Sequence, residues 1–123
     1  MAIQQNITAA DGWFTGEDKT LEFEVLEPDG ATPEDVTGWA LEWQLRPVAN
    51  AADPPTLSKV PTIIGTYNAV RATNTQRVEV TIAASDTAAL TARTYQHALK
   101  RTDAGSETVL SYGSALLQTA ATH

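Results

Sequence analysis

Trp39, Leu41, Trp43 and Leu45 alternate strictly with Ala40, Glu42, Gln44 and Arg46. A period of two turns one set of side chains inward and the other to water, as in a strand half-buried in a sheet. Two of the three tryptophans fall on the apolar side. Each such ring buries on the order of 200 Å², so this strand is expected to anchor the core. Pro47 has no N–H to give to a ladder and is expected to end it. The alternation recurs over 20–26, where Leu21, Phe23 and Val25 oppose Glu22 and Glu24. It recurs again over 76–82, where Val78, Val80 and Ile82 oppose Arg77, Glu79 and Thr81. The stretches 57–60, 62–70, 94–101 and 107–117 read as further strands, with Pro61 marking an edge.

Turn-forming residues punctuate these stretches: Asp11-Gly12, Gly16-Glu17-Asp18, Glu27-Pro28-Asp29-Gly30 and 102–106. Residues 85–90 read as one helical turn, with Ser85 or Asp86 as its N-cap. Residues 48–56, rich in proline and small side chains, are expected to form a loop. Residues 1–10 read as an arm or an edge strand, and 118–123 as a loose tail. Seven or eight short strands at regular spacing predict an all-β, antiparallel β-sandwich, one domain over 1–123. Its expected core is Leu21, Phe23, Val25, Trp39, Leu41, Trp43, Leu45, Val78, Val80, Ile82, Tyr95 and Leu99. The helical turn just before Tyr95 resembles the corner that precedes the sixth strand of immunoglobulin-like domains. There a tyrosine hydrogen-bonds back to the preceding connection. With no cysteine in the chain, the likeness is to the broad immunoglobulin-like class rather than to antibody domains.

Composition narrows the function classes. The net charge of −7 argues against nucleic-acid binding, which rests on neutralising phosphates. Most of the acids lie in the first fifty residues, and two readings of them are open: a patch that docks on a basic partner, or acids that pair within the domain and keep it soluble. Residues 1–6 have no basic region followed by an apolar run, so no signal peptide is expected. No apolar stretch approaches the roughly 18 residues of a membrane span. The expectation is synthesis in the cytoplasm with no Sec export.

Candidate chemistry is sparse. His97 shares a strand face with Tyr95 and Leu99 and reads as a structural histidine, and His123 is the last residue. No G-x-S-x-G elbow, P-loop or G-x-G-x-x-G occurs. The pairs Glu17-Asp18, Glu27-Pro28-Asp29 and Glu34-Asp35 lack the D-x-D spacing of calcium loops. No catalytic residue, metal or cofactor is therefore expected. Trp13-Phe14, set between two turns, either covers one end of the core or forms an exposed docking patch. The candidate interaction residues are Trp13, Phe14, Glu17, Asp18, Glu22 and Glu24. If the sandwich instead bound sugars by ring stacking, Trp13 and Tyr67 or Tyr112 would be the rings left to do it.

The succession Asn6-Ile7-Thr8, Gly16-Glu17-Asp18-Lys19-Thr20-Leu21-Glu22-Phe23, Asp35-Val36-Thr37-Gly38-Trp39, Ala84-Ser85-Asp86-Thr87-Ala88-Ala89-Leu90 with Tyr95, Thr102-Asp103-Ala104-Gly105 and a closing Gly113 resembles small immunoglobulin-like structural proteins of tailed bacteriophages. It is also similar to the N-terminal domain of upper-baseplate proteins. The resemblance covers about residues 6–117. It implies a non-enzymatic virion component, present in several copies or as a homo-oligomer, that docks on other virion proteins as a baseplate or tail adaptor or as a head-decoration protein. Docking would use exposed loops and an edge strand, by strand addition. The alternative is a carbohydrate-binding module for host-surface recognition.

Overall fold

The apolar sides of the alternating stretches close on a common interior. The computed structural model describes residues 2–48 and 55–119. The strands are β1 (Ile3–Gln4), β2 (Lys19–Phe23), β3 (Leu41–Arg46), β4 (Leu57–Lys59), β5 (Thr62–Ile64), β6 (Arg77–Ile82), β7 (Arg93–Arg101) and β8 (Thr108–Leu117). They form a five-stranded sheet, β1-β8-β7-β3-β4, and a three-stranded sheet, β2-β6-β5. This is the order of an immunoglobulin-like sandwich, whose second, fifth and fourth strands face its seventh, sixth and third. Most neighbours are antiparallel, but β1 runs parallel to β8. The larger sheet is thus mixed, where alternation alone predicted an antiparallel one.

The segment read as an arm or edge strand is that parallel edge. After β1, Ile7 bridges Ala115 and Phe14 bridges Gln118, with a 3₁₀ turn at Ala9–Asp11 between them. Gln118, expected in the tail, is held in place. Its N–H donates to the Trp13 carbonyl at 2.9 Å, and its side-chain amide donates to the Ala9 carbonyl at 3.1 Å. Residues 120–123, with His123, and 49–54 of the expected loop lie outside the described residues.

One apolar cluster joins both sheets. Eleven of the twelve expected core residues are buried; the exception is Trp39. The strand begins at Leu41, two residues later than the alternation suggests, because the backbone at Ala40 is engaged elsewhere. Its N–H donates to Asp103 at 3.0 Å and its carbonyl accepts from Thr102 at 2.8 Å. The Trp39 ring, half-buried at the rim of the core, lies under the Arg101 guanidinium at 3.9 Å, within cation–π range. Val25 and Leu26 are buried but fall outside β2. Pro33 bridges Leu26, and the Val25 carbonyl accepts from Glu34.

The helical turn spans Ala84–Thr87, with Ala83 at the N-cap position. Neither Ser85 nor Asp86 occupies that position. Asp86 instead reaches back from inside the turn to the Ala83 N–H at 2.7 Å. It also pairs with Lys59 at 2.6 Å, tying the edge strand β4 to the turn that follows β6. Beyond the turn, the Tyr95 hydroxyl donates to the Thr91 carbonyl at 2.7 Å, as the corner reading expected. In antibody domains a disulfide cysteine stands two residues after this tyrosine, with a tryptophan packed on the bridge. Here that position is His97. Its ring lies 6.0 Å from Phe23 across the sandwich and 6.1 Å from Trp43. Three rings pin the sheets where antibodies use sulfur.

Candidate functional site

The residues expected to dock are mostly built into the fold. Trp13 is fully buried, so it presents no surface to a partner. Its indole N–H finds no acceptor among the described residues. The ring was drawn inward by the pairing of 13–15 with Gln118, where Thr15 donates to the Gln118 carbonyl at 2.9 Å. Phe14 is half-buried beside it, and so is Glu17. Asp18 accepts the Ala84 N–H at 2.7 Å, which orients the helical turn. Glu24 takes both arms of Arg71, at 2.8 and 3.2 Å, and that guanidinium holds its carboxyl below the usual range. Glu22 is exposed, and its side chain has no partner among the described residues.

His97 is buried, and both ring nitrogens are engaged. The Trp43 indole is a donor only, so its 3.2 Å bond to Nδ1 makes that nitrogen the acceptor. Nε2 then carries the proton and donates to the Gln5 carbonyl at 2.6 Å. Burial lowers the imidazole's pKa, opposed in part by the Gln5 bond. The ring clips the N-terminal segment to the core. Gly113, opposite His97 in the register, completes the clip: a side chain there would run into the Gln5 carbonyl and the Asn6 side chain. Among the described residues, no three His, Cys, Asp or Glu side chains gather to hold a metal ion. No helix there is long and apolar enough to cross a membrane.

The surface left over by the fold is the outer face of the five-stranded sheet. The antiparallel register places Gln44 opposite Ala98, and Ala98 opposite Tyr112. Ala98 is short, so its taller neighbours wall a groove of about 340 Å³, lined on one side by Gln44 and Arg46 and on the other by Val109 and Tyr112, with Gln96 and Lys100 along it. Val109 and Tyr112 are 40 % and 44 % exposed, two large apolar side chains side by side in water. A bulge brings them together. Leu99 pairs with Ser111 but Lys100 pairs with Val109, so Leu110 is the extra residue and turns inward, buried. One extra residue reverses the inside–outside alternation of a strand. Without it, Val109 and Tyr112, three apart, would face opposite sides.

Polar groups on this face are linked in a chain. Gln44 donates to Glu42 at 2.6 Å and Ser58 donates to Glu42 at 2.7 Å. Arg46 and Lys100 donate to the side-chain Oε1 of Gln44 at 3.0 and 3.3 Å. The result is a hydrogen-bonded polar wall facing an apolar one across Ala98, an arrangement suited to a packed partner. None of these residues was singled out from the sequence except Tyr112, as a possible stacking ring. A scan against protein-family models finds no match for the chain, and a search of curated proteins finds none either.

Proposed function

We propose that the chain is a non-enzymatic structural component of a tailed-phage virion, a baseplate or tail adaptor or a head-decoration protein. It docks on neighbouring subunits through the outer face of its five-stranded sheet. The observation that carries the docking reading is the groove beside Ala98. It sets two exposed apolar side chains against a tied polar wall. Exposed apolar groups gathered in one place and rimmed by polar ones mark interaction surfaces. The described imidazole, the side chain most apt for acid–base work near neutral pH, is spent on the core. The succession of segments resembling phage structural proteins supports the choice of partner.

The test is Ala98→Arg, which fills the groove from the solvent side and leaves the core untouched. The variant should unfold within about 0.5 kcal/mol of the parent, as surface substitutions do, yet be lost from purified particles. Particles carrying a full complement of the variant would remove the groove from the docking reading. The carbohydrate alternative draws less support. Trp13 and Trp43 are buried, Trp39 is stacked on Arg101, and the Tyr67 hydroxyl is tied to the Pro33 carbonyl at 3.2 Å. Glycan-array binding that vanishes on Tyr112→Ala would favour it.

A further inference from the structure

The three-stranded sheet ends at β2, and the main chain on the outer side of that strand is open. The Val25 carbonyl accepts from Glu34, in the segment whose Val36 N–H donates to the Gln76 side chain, next to β6, at 3.2 Å. Main-chain groups of an antiparallel strand face its two sides by turns. Leu21, Phe23 and Val25 therefore face β6 and its extension, and Thr20, Glu22 and Glu24 face away. The N-terminal segment runs along that open side. Gln5 and Ile7 donate to the Tyr112 and Ser114 carbonyls, which turns the main chain of Gln4 and Asn6 away from β8, across a seam from β2. Among the described residues no main-chain bond crosses the seam. One side chain does: the Gln5 amide donates to the Glu22 carbonyl at 3.4 Å, where a neighbouring strand would bring an N–H. The seam opens into a cavity of about 180 Å³ between Asn6 and Thr20 and one of about 390 Å³ between Gln4 and Glu24. Two rows of main-chain groups thus face each other across more than one ladder step of about 4.8 Å.

We propose that this seam receives an extended segment of a different virion subunit, laddered to β2 on one side and to the N-terminal segment on the other. The inference rests on the virion reading above and adds a second contact to it. Unpaired main chain on both flanks selects a lone strand. Every described strand of this chain already has a neighbour, and a sheet edge would bring that neighbour into a seam closed on both sides. Charge narrows the donor further. Glu22 stands across from Glu79 on the outer face, where like charges destabilise a sheet, and neither has a side-chain partner among the described residues. The incoming strand fills the other ladder position beside Glu22 and sets a lysine or arginine there.

Hydrogen exchange on the full chain, free and in purified particles, tests this. In the free chain the Thr20 and Glu22 amides should exchange fast and those of Leu21 and Phe23 slowly. In particles all four should be slow. Thr20→Pro removes only an N–H that faces away from β6, a place where an edge strand tolerates proline. It should keep the parent's urea midpoint and be lost from particles, while Thr20→Val, which keeps the N–H, is incorporated. Glu22→Lys/Glu79→Lys should lower the copy number in particles. Thr20 and Glu22 amides as fast in particles as in the free chain overturn the proposal, whether or not Thr20→Pro folds. A folded Thr20→Pro at full complement also overturns it. Protection of these amides that grows with the concentration of the free chain makes the donor another copy and overturns the choice of subunit. Full incorporation of Glu22→Lys/Glu79→Lys removes the basic residue. The broader docking reading is separable: it stands without the seam if Ala98→Arg is still excluded from particles, and falls with it if Ala98→Arg and Thr20→Pro both incorporate.

Discussion

Acidification should weaken this protein well above the range in which its carboxylates titrate. Protonating His97 places a hydrogen on Nδ1, where the Trp43 indole N–H already points from 3.2 Å, and a charge in the core beside Phe23. Burial lowers the folded-state pKa of this imidazole, while the unfolded chain titrates near about 6.5. The unfolded state therefore binds the proton first. The neutral ring's contribution is fully present above about pH 6.5 and is lost as pH falls from there toward the folded-state value. For a single proton the slope reaches at most about 1.4 kcal/mol per pH unit. Carboxylates with lowered pKa, among them Asp86 through Lys59 and Glu24 through Arg71, add to the loss only below their unfolded values of about 4. The interval between about pH 6.5 and 5 thus isolates the histidine. The assay is urea unfolding followed by tryptophan fluorescence at a series of pH values, with His123→Gln as background. A His97→Leu comparison should be flat across the interval. A parent with level stability there, or a His97→Leu variant that keeps the slope, would refute the reasoning.

Trp13→Ala should act on folding. Truncating a fully buried tryptophan costs about 3–5 kcal/mol, read as a lower urea midpoint, whereas a docking residue would leave the midpoint unchanged. Gly113→Ala should displace the N-terminal segment, whose Gln5 carbonyl occupies the space a side chain needs. The expected cost is about 1–3 kcal/mol, with faster hydrogen exchange at Gln5 and Ile7, whose amides donate to Tyr112 and Ser114. Tyr95→Phe removes only the bond to the Thr91 carbonyl and should cost about 1 kcal/mol by the same urea assay.

The interior of this protein was legible in its sequence wherever one strand pairs in register on both sides. Trp43 and Leu45 lie between β4 and β7, and their period of two carries straight into burial. The Tyr95 corner was legible because it is local: hydroxyl and acceptor are four residues apart. What was hidden depends on distant partners. Trp39 continues the alternation but leaves the strand, since Asp103, in the turn after β7, takes the Ala40 N–H. Trp13 sits among turn residues with no periodicity, and only its pairing with Gln118, more than a hundred positions away, sends it inward. The parallel edge at β1 is set the same way. The groove was hidden by the bulge at Leu110: an unbroken alternation through β8 splits Val109 and Tyr112 between faces. The acids drew attention as a block in sequence, yet Asp18 and Glu24 serve the fold, and Glu22, without a side-chain partner among the described residues, faces an acid from another strand.

The most direct test of the central claim is hydroxyl-radical footprinting of the chain, free and assembled in particles, read at individual side chains. Tyr112, 44 % exposed in the free protein, should lose most of its oxidation on assembly, with Val109 following it, while Tyr67 on the far side of the fold keeps its reactivity. Unchanged oxidation at Tyr112 in particles that contain the chain would contradict docking through this face.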